Sequence, residues 1–191
     1  MSRKLVPRLA LAAAGVAALS SFAFGAGNAG RLTLTSAETA NGKMMAMEQV
    51  LNGFGCSGAN VSPGLKWSDP PVGTKSFALT VYDPDAPTGS GWWHWVVVDI
   101  PANARELPKG VGKSGTVTLP GGARQTRTDF GAPGYGGPCP PPGKPHRYVI
   151  TLTALDIDKL PVPDDASGAL VGFNVGAHTL AKGTISAQYG R

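Results

Sequence analysis

One short segment of the sequence concentrates residue types that can bind or transform a ligand. The segment 83–95 reads DPDAPTGSGWWHW and contains two carboxylates, three tryptophans and one of the three histidines of the chain. Its two prolines fix φ and hold the carboxylates in a rigid turn. Either Asp83 or Asp85 is therefore expected to reach His94 on the next strand. A carboxylate bound to one imidazole nitrogen would leave the other nitrogen free for a ligand.

A second histidine lies at a similar position, where a long loop enters a predicted strand. His146 directly precedes Arg147-Tyr148, and polar residues at such junctions often converge on one pocket. Trp92, Trp95 and Tyr148 can supply apolar walls for that pocket. Two imidazoles, ring hydroxyls and free N–H groups of glycine-rich turns favour a small anion as the ligand.

Each of these features also has a purely structural interpretation. The two aspartates can cap turns, His94 can be a hydrogen-bonded core histidine, and the tryptophans can belong to the core. Arg127 and Asp129 are predicted to form a structural ion pair that stiffens their loop, although Arg127 could also help to hold an anion. His178 is predicted to be structural, at the end of a helix where a positive charge is favourable.

The elements that position these residues are predicted to be short strands joined by turns. The sequence contains 27 glycines and 17 prolines, and both residue types interrupt helices. Alternating or β-branched patterns predict strands at residues 31–35, 65–68, 76–82, 92–100, 116–119, 148–155 and 183–188. The segment 92–100 is apolar on both faces and is expected to be buried on both sides. One short helix is predicted within residues 164–180, whereas residues 38–49 are predicted to be mostly loop.

The most irregular part of the sequence is the segment 121–145, which reads GGARQTRTDFGAPGYGGPCPPPGKP. A loop of this length inside a compact domain is usually either functional or disordered. Phe130, Tyr135 and Cys139 are residue types that favour burial, so the functional alternative is predicted.

The length and the charge of the chain limit its possible localisation and partners. Residues 1 to about 29 are predicted to be a signal peptide, because three basic residues precede an apolar run and small residues follow it. Residues 30–191 are then expected to form a single exported domain, periplasmic or secreted, without stable insertion into a membrane. Loss of the three leader charges lowers the formal net charge from +5 to +2. The remaining chain has no cluster of basic residues, so nucleic acid is not expected as a partner.

The two cysteines, Cys56 and Cys139, can pair in an oxidising compartment. The alternative is a pair of buried free thiols, because pairing cannot be deduced from sequence. CxxC spacing is absent, which argues against a zinc site.

Several motifs in this order resemble the phosphatidylethanolamine-binding protein family, and more narrowly its bacterial branch of Raf kinase inhibitor-like proteins. They are YDPDAP at 82–87, WWHW at 92–95, YGGPCPPPG at 135–143 and HRY at 146–148. The resemblance covers about residues 32–189. It implies a mainly β fold in which a large antiparallel sheet packs on a smaller sheet with few short helices. It also implies an anion pocket at one edge that accepts phosphate, acetate or a phosphoethanolamine head group. The matching pocket positions are Asp83, Ala86, Pro87, Trp92, His94, Gly137, Pro140, Pro141, His146 and Tyr148.

Two departures from the eukaryotic relatives concern the rim and the cover of the pocket. The turn at 88–91 is much shorter and lacks their rim tyrosine, and the sequence reaches Arg191 without the C-terminal helix that covers their pocket. The features that shape lipid and kinase specificity in those relatives therefore differ here.

The function predicted from these features is an exported binding or inhibitory module rather than an enzyme, with no cofactor and no metal. Its pocket would take a phosphate or phosphoethanolamine-like anion, and its surface would modulate a protein partner such as a protease, kinase or host factor. The alternative is a hydrolase or metal-dependent enzyme that uses His94, His146 and Asp83. GxSxG and HExxH motifs are absent, and Ser90 has no evident oxyanion hole. A third possibility is an envelope protein whose pocket is a structural relic.

Overall fold

The fold is given by a computed structural model that describes residues 31–191 together with Met1. The predicted signal peptide, apart from Met1, lies outside the described residues. Among the residues that are described, no helix is both long enough and apolar enough to span a membrane.

Strands dominate the described part of the chain, and all pairings between named strands are antiparallel. In chain order the strands are β1 (Thr33–Thr35), β2 (Asn52–Gly53), β3 (Cys56–Ser57), β4 (Leu65–Ser68), β5 (Ser76–Asp83), β6 (Trp92–Pro101), β7 (Glu106–Leu107), β8 (Arg124–Gln125), β9 (His146–Leu155) and β10 (Thr179–Tyr189). A large sheet has the order β10-β9-β5-β6-β8, and a smaller sheet has the order β1-β4-β7. Strands β2 and β3 form a separate hairpin.

The main core lies between the large sheet and the smaller sheet. Phe77, Leu79 and Val81 alternate along β5 and pack in one cluster with Leu65 and Trp67 of β4. This alternation follows from the two-residue period of a strand, which turns every second side chain to the same face. The predicted mainly β fold, with a large antiparallel sheet packed on a smaller one, is confirmed.

The opposite face of the large sheet packs against the single α-helix of the described residues, α1 (Gly168–His178). Val96 and Val98 of β6 cluster there with Val171 and Val175 of the helix, so β6 is buried on both faces as predicted. Gly168 is needed at the first turn, because a Cβ atom there would lie 2.4 Å from the Trp93 ring. The helix is shorter than the predicted segment 164–180 and begins after Ser167, whose Oγ accepts a hydrogen bond from the Leu170 amide.

Strands form at every predicted position except one. In the segment 116–119 only Thr118 makes an isolated bridge, to Arg124, and that prediction was wrong. The reason is the tight turn that follows: a short 3-10 helix (Pro120–Gly122), with Gly121 at φ 82°, folds the chain directly back onto β8. Residues 38–49 form turns rather than a helix, as predicted.

Candidate functional site

The sheet order brings the two histidine-bearing segments of the sequence to one edge. Because β5 runs antiparallel to both β6 and β9, its C-terminal end adjoins the starts of these two neighbours. Asp83 pairs with Trp92 across β5 and β6, and Tyr82 pairs with Val149 across β5 and β9. His146 is the first residue of β9 and therefore lies beside the end of β5.

A cavity of about 330 Å³ opens at this edge. Nine of the ten residues predicted from the family resemblance line it: Asp83, Ala86, Pro87, Trp92, His94, Pro140, Pro141, His146 and Tyr148. The remaining lining residues, which were not predicted as ligand-binding residues, are Leu51, Phe54, Thr88, Phe130, Cys139, Pro142 and Arg191.

Two of the residues predicted for the pocket are not among the lining residues. Trp95, predicted as an apolar wall, lies in the core between the sheets, where its Nε1 donates to Gln125 Oε1 at 2.6 Å. The other is Gly137. Its amide donates a hydrogen bond to Asn60 Oδ1 at 2.7 Å. A Cβ atom at this position would lie 2.0 Å from the Gln49 carbonyl oxygen. The glycine therefore allows two backbone segments to approach closely behind the cavity, which gives it a packing role.

Asp83 is buried and binds the second histidine of the site rather than the first. His146 Nδ1 donates a hydrogen bond to Asp83 Oδ2 at 2.8 Å. Asp83 Oδ1 accepts a second hydrogen bond, from the Asp85 amide at 2.8 Å, so this carboxylate also caps its turn. The expectation that Asp83 or Asp85 contacts His94 was wrong, because Asp83 faces β9 and Asp85 is engaged elsewhere.

Asp85 forms a surface ion pair with Arg147. The guanidinium donates from Nε at 2.9 Å and from Nη2 at 2.7 Å, and the Arg147 amide donates to the same carboxylate at 2.9 Å. Hydrogen bonding to Arg147 lowers the pKa of Asp85 to about 2. This pair fixes the turn against the start of β9 and leaves Asp85 outside the cavity lining.

His94 is held by a backbone carbonyl and lies among aromatic rings. Its Nδ1 donates to the Gly136 carbonyl oxygen at 2.7 Å, so Nδ1 carries the hydrogen and Nε2 of the neutral ring is an acceptor. The ring makes edge contacts with Phe130, at 5.4 Å between centroids, and with Tyr148, at 5.1 Å. Burial lowers the pKa of His94, which favours the neutral form.

Two lining side chains carry buried hydrogen-bond donors that form no hydrogen bond of good geometry with the described residues. They are Trp92 Nε1 and Tyr148 Oη. Burial, and next the charge of the nearby Asp83 carboxylate, with which the hydroxyl also interacts directly, raise the pKa of Tyr148, so its hydroxyl keeps its proton. Buried donors in folded proteins are normally hydrogen-bonded. These two donors can therefore bind an acceptor atom of a ligand in the cavity.

The mouth of the cavity is formed by two loop segments that a disulfide joins. Cys56 and Cys139 are bonded, with 6.0 Å between their Cα atoms, which confirms the predicted pairing over the free-thiol alternative. Phe54 on the β2–β3 hairpin is 68% exposed and stacks on Phe130 of the long loop, with 5.9 Å between ring centroids. The long loop is thus packed and lines the cavity. Its burial-prone aromatics and cysteine were the sequence signal for this.

The remaining predicted residues lie outside the cavity lining. The predicted Arg127–Asp129 ion pair is not formed. Asp129 Oδ2 instead accepts a hydrogen bond from the Trp93 amide at 2.8 Å, and Arg127 Nε donates to the Asp165 carbonyl oxygen at 3.3 Å. Each side chain is therefore used to attach the loop to a neighbouring element.

His178 has a structural role at the end of α1, as predicted. Its Nδ1 donates to Asp156 Oδ1 at 2.8 Å. Within the part of the chain that the structure describes, no group of three or more His, Cys, Asp and Glu side chains is arranged to hold a metal ion.

The family model described as phosphatidylethanolamine-binding protein matches residues 35–190. The UPF0098 protein YbhB of Escherichia coli strain K12 is 54% identical over 158 residues, which span 83% of this chain and 99% of that protein. The UPF0098 protein YbcL of the same strain is 52% identical over 157 residues, which span 82% of this chain and 86% of that protein.

Solved structures agree with the sequence matches. The crystal structure of E. coli YbcL, described as a new member of the mammalian PEBP family, superimposes with a TM-score of 0.81 at 51% identity and covers 84% of this chain and 99% of that chain. A putative phosphatidylethanolamine-binding protein homolog from Chlamydia trachomatis superimposes with a TM-score of 0.71 at 27% identity, covering 85% of this chain and 99% of that chain.

Proposed function

Because the chain belongs to the phosphatidylethanolamine-binding protein family, we propose that it is an exported binding module whose cavity takes a small anion. The ligand is inorganic phosphate or a phosphoethanolamine-like head group. In this proposal the loaded module modulates a protein partner, such as a protease, a kinase or a host factor, and catalyses no reaction.

The pair of buried donors at Trp92 and Tyr148 carries the proposal. Leaving a buried N–H or O–H group without a partner costs about 1–3 kcal/mol, and an anion oxygen can accept from both groups. A monoprotonated phosphate also has a hydroxyl, which can donate to the acceptor nitrogen of neutral His94. The polar groups of the inner cavity therefore match an ion that both accepts and donates hydrogen bonds.

The disulfide and the N-terminal segment support export. Cys56 and Cys139 are bonded, and disulfides persist mainly in oxidising compartments. The basic residues, apolar run and small residues at 1–29 are typical of a signal peptide. Both features agree with a periplasmic or secreted protein.

The exposed ring of Phe54 at the cavity mouth supports a protein partner. Aromatic side chains are enriched at protein interfaces, and this one stands beside the opening that a bound ligand would fill. A partner that covers Phe54 would therefore also sense whether the cavity is occupied.

An NMR titration tests the anion site. Inorganic phosphate and O-phosphoethanolamine are added to the protein at neutral pH, with chloride at matched ionic strength as the control. We expect shifts of the Trp92 indole N–H and of the His94 and His146 ring signals. The Trp67 indole is an internal control, because its Nε1 is also buried without a partner but lies in the core between the sheets. Unchanged spectra at millimolar phosphate would contradict the proposal.

A turnover assay separates the binding module from the hydrolase alternative. The Asp83–His146 pair has the form of an oriented base, so the protein is incubated with an aryl phosphate and product release is followed. We expect no turnover. Product release that is abolished in His146→Gln and kept in His178→Gln would support the hydrolase instead.

The protein partner is sought by affinity capture with the wild-type protein and Phe54→Ser as paired baits, in envelope or host extract. A protein retained by the wild type, lost with Phe54→Ser and altered by added phosphate would fit the proposal. Capture that is independent of both changes would place the partner elsewhere on the surface.

A further inference from the structure

A bound anion would lack a compensating positive charge in this cavity unless Arg191 supplies one. Of the described residues that line the cavity, only Arg191 carries a permanent positive charge. Asp83 is a buried carboxylate whose charge opposes an anion. His146 already donates its Nδ1 hydrogen to that carboxylate, and burial of His94 favours its neutral form. An anion moved from water into a mostly apolar cavity needs a compensating charge.

The guanidinium of Arg191 is held at the cavity wall by three backbone carbonyls. Nε donates to Pro140 at 2.7 Å, Nη1 to Gly55 at 3.3 Å and Nη2 to Phe54 at 3.2 Å. The main-chain oxygen of Arg191 accepts a further hydrogen bond from the Gly143 amide at 3.0 Å. A guanidinium has five N–H donors, so two of them remain for a ligand after these contacts.

The carbonyls that hold Arg191 lie on the two segments that the disulfide joins. Phe54 and Gly55 directly precede Cys56 on the β2–β3 hairpin, and Pro140 directly follows Cys139. The covalent link keeps the carbonyls in one geometry, and the guanidinium bridges the same two segments by hydrogen bonds. A charge held in this way loses little conformational entropy when a ligand binds.

We propose that Arg191 is an anion-binding residue of this cavity, which uses its two remaining Nη hydrogens to bind oxygens of a phosphate group. The proposal rests on the proposed function of the cavity. It adds a residue that the family resemblance did not supply. The cavity should favour phosphate and phosphate esters over neutral molecules of the same size.

Calorimetry with inorganic phosphate at neutral pH tests this role in four proteins: wild type, Arg191→Met, Arg191→Lys and Arg105→Met. Arg105 is the matched control, because its guanidinium is also held by backbone carbonyls, those of Ala102 and Ala104, but it follows the far end of β6. We expect Arg191→Met to weaken phosphate binding about tenfold or more, as for loss of a hydrogen bond to a charged group. Arg191→Lys should lose less, because it keeps the charge, and Arg105→Met should bind as the wild type does.

The outcomes separate the role of Arg191 from the existence of the site. Absence of phosphate binding by the wild type would overturn both the proposed function and this inference. Wild-type binding with equal affinity in Arg191→Met would overturn the inference alone. Equal losses in Arg191→Met and Arg191→Lys would show a structural link between the segments rather than an anion contact, and would also overturn it. Amide NMR spectra of Phe54 and Gly55 in each variant show whether the hairpin has moved.

Discussion

The buried Asp83 and the partly buried His146 form a carboxylate–imidazole pair, with 2.8 Å between Oδ2 and Nδ1, although they are 63 residues apart in sequence. Their side chains are 4% and 14% exposed. Because the carboxylate can only accept, it fixes the hydrogen of His146 on Nδ1 and leaves Nε2 as the free ring nitrogen. The same carboxylate caps the turn after β5, so one side chain connects the turn to β9 and sets the orientation of a ring that lines the cavity.

We expect Asp83→Asn to lower the free energy of unfolding by about 1–3 kcal/mol, since it weakens two hydrogen bonds to a buried charged group. The matched control is Asp85→Asn in the same turn. Its partner Arg147 is 55% exposed, and exposed ion pairs contribute at most about 1 kcal/mol. Urea denaturation at neutral pH measures the free energy of unfolding of both variants. If the two variants lose equal free energy of unfolding, the buried Asp83 contributes no more to stability than the exposed Asp85.

The stability of the protein should depend on the protonation of His94. Burial lowers the pKa of this ring in the folded state, so between that pKa and the ordinary value of about 6.5 the unfolded chain binds more protons. The contribution of His94 to the free energy of unfolding is therefore present above pH 6.5 and decreases as the pH falls below it. Urea denaturation from pH 7.5 to 5.5 should show a smaller pH dependence in His94→Gln than in the wild type, whereas His178→Gln should leave this contribution in place.

An anion in the cavity should reduce the loss of stability at low pH, because its charge stabilises the imidazolium form of His94. Sulfate keeps its charge over the range from pH 7.5 to 5.5, so it is the suitable probe. We expect the stabilisation by sulfate to grow as the pH falls, and to grow less in His94→Gln. A stabilisation that is the same at both ends of the range in the wild type would contradict a ligand contact with His94.

Local patterns predict the strands, whereas the family resemblance supplies nine of the sixteen residues that line the cavity. Alternating apolar residues identify β5, and the polar residues that follow it come to the sheet edge with it. The partner of Asp83 could not be predicted in this way. The choice between His94 and His146 depends on the order β9-β5-β6 and on the face to which each side chain points, which no local pattern contains.

Residues that enter the cavity from segments without a motif were also beyond sequence reasoning. Leu51 and Arg191 are far from the recognisable segments, and only the fold brings them together. Phe54 is close to Cys56, so the disulfide offered an indirect signal that its hairpin lies beside the long loop. Gly137 was predicted from a motif, and its packing against the Gln49 backbone is a role that the motif alone did not indicate.

Reduction of the disulfide should loosen the mouth of the cavity. The bond closes a loop across a sequence separation of 83 residues, for which the chain-entropy contribution is at most about 4–5 kcal/mol. We expect the Cys56→Ser, Cys139→Ser double variant to be less stable in urea by up to this amount and to bind phosphate more weakly. Mass spectrometry without reductant first confirms that the wild type is oxidised. An unchanged phosphate affinity in the double variant would show that Arg191 and packing alone hold the mouth.

The buried hydroxyl of Tyr148 should favour ligand binding at the expense of stability. Its Oη forms no hydrogen bond of good geometry with the described residues, although the Asp83 carboxylate lies near it, whereas the equally buried Tyr135 donates from Oη to the Gln49 carbonyl oxygen at 3.0 Å. Removing an unpaired polar group is nearly neutral or stabilising, so we expect Tyr148→Phe to keep or raise the free energy of unfolding. Its phosphate affinity should fall about tenfold, because a hydrogen bond to a charged ligand is lost.

Tyr135→Phe provides the reverse case with the same chemical change. It should lower the free energy of unfolding by about 1 kcal/mol, through loss of a buried hydrogen bond, and leave phosphate binding within about twofold of the wild type. Urea denaturation and phosphate calorimetry on the two variants together give four values. If Tyr148→Phe loses stability as Tyr135→Phe does and still binds phosphate like the wild type, the hydroxyl is structural and the cavity has one donor fewer than proposed.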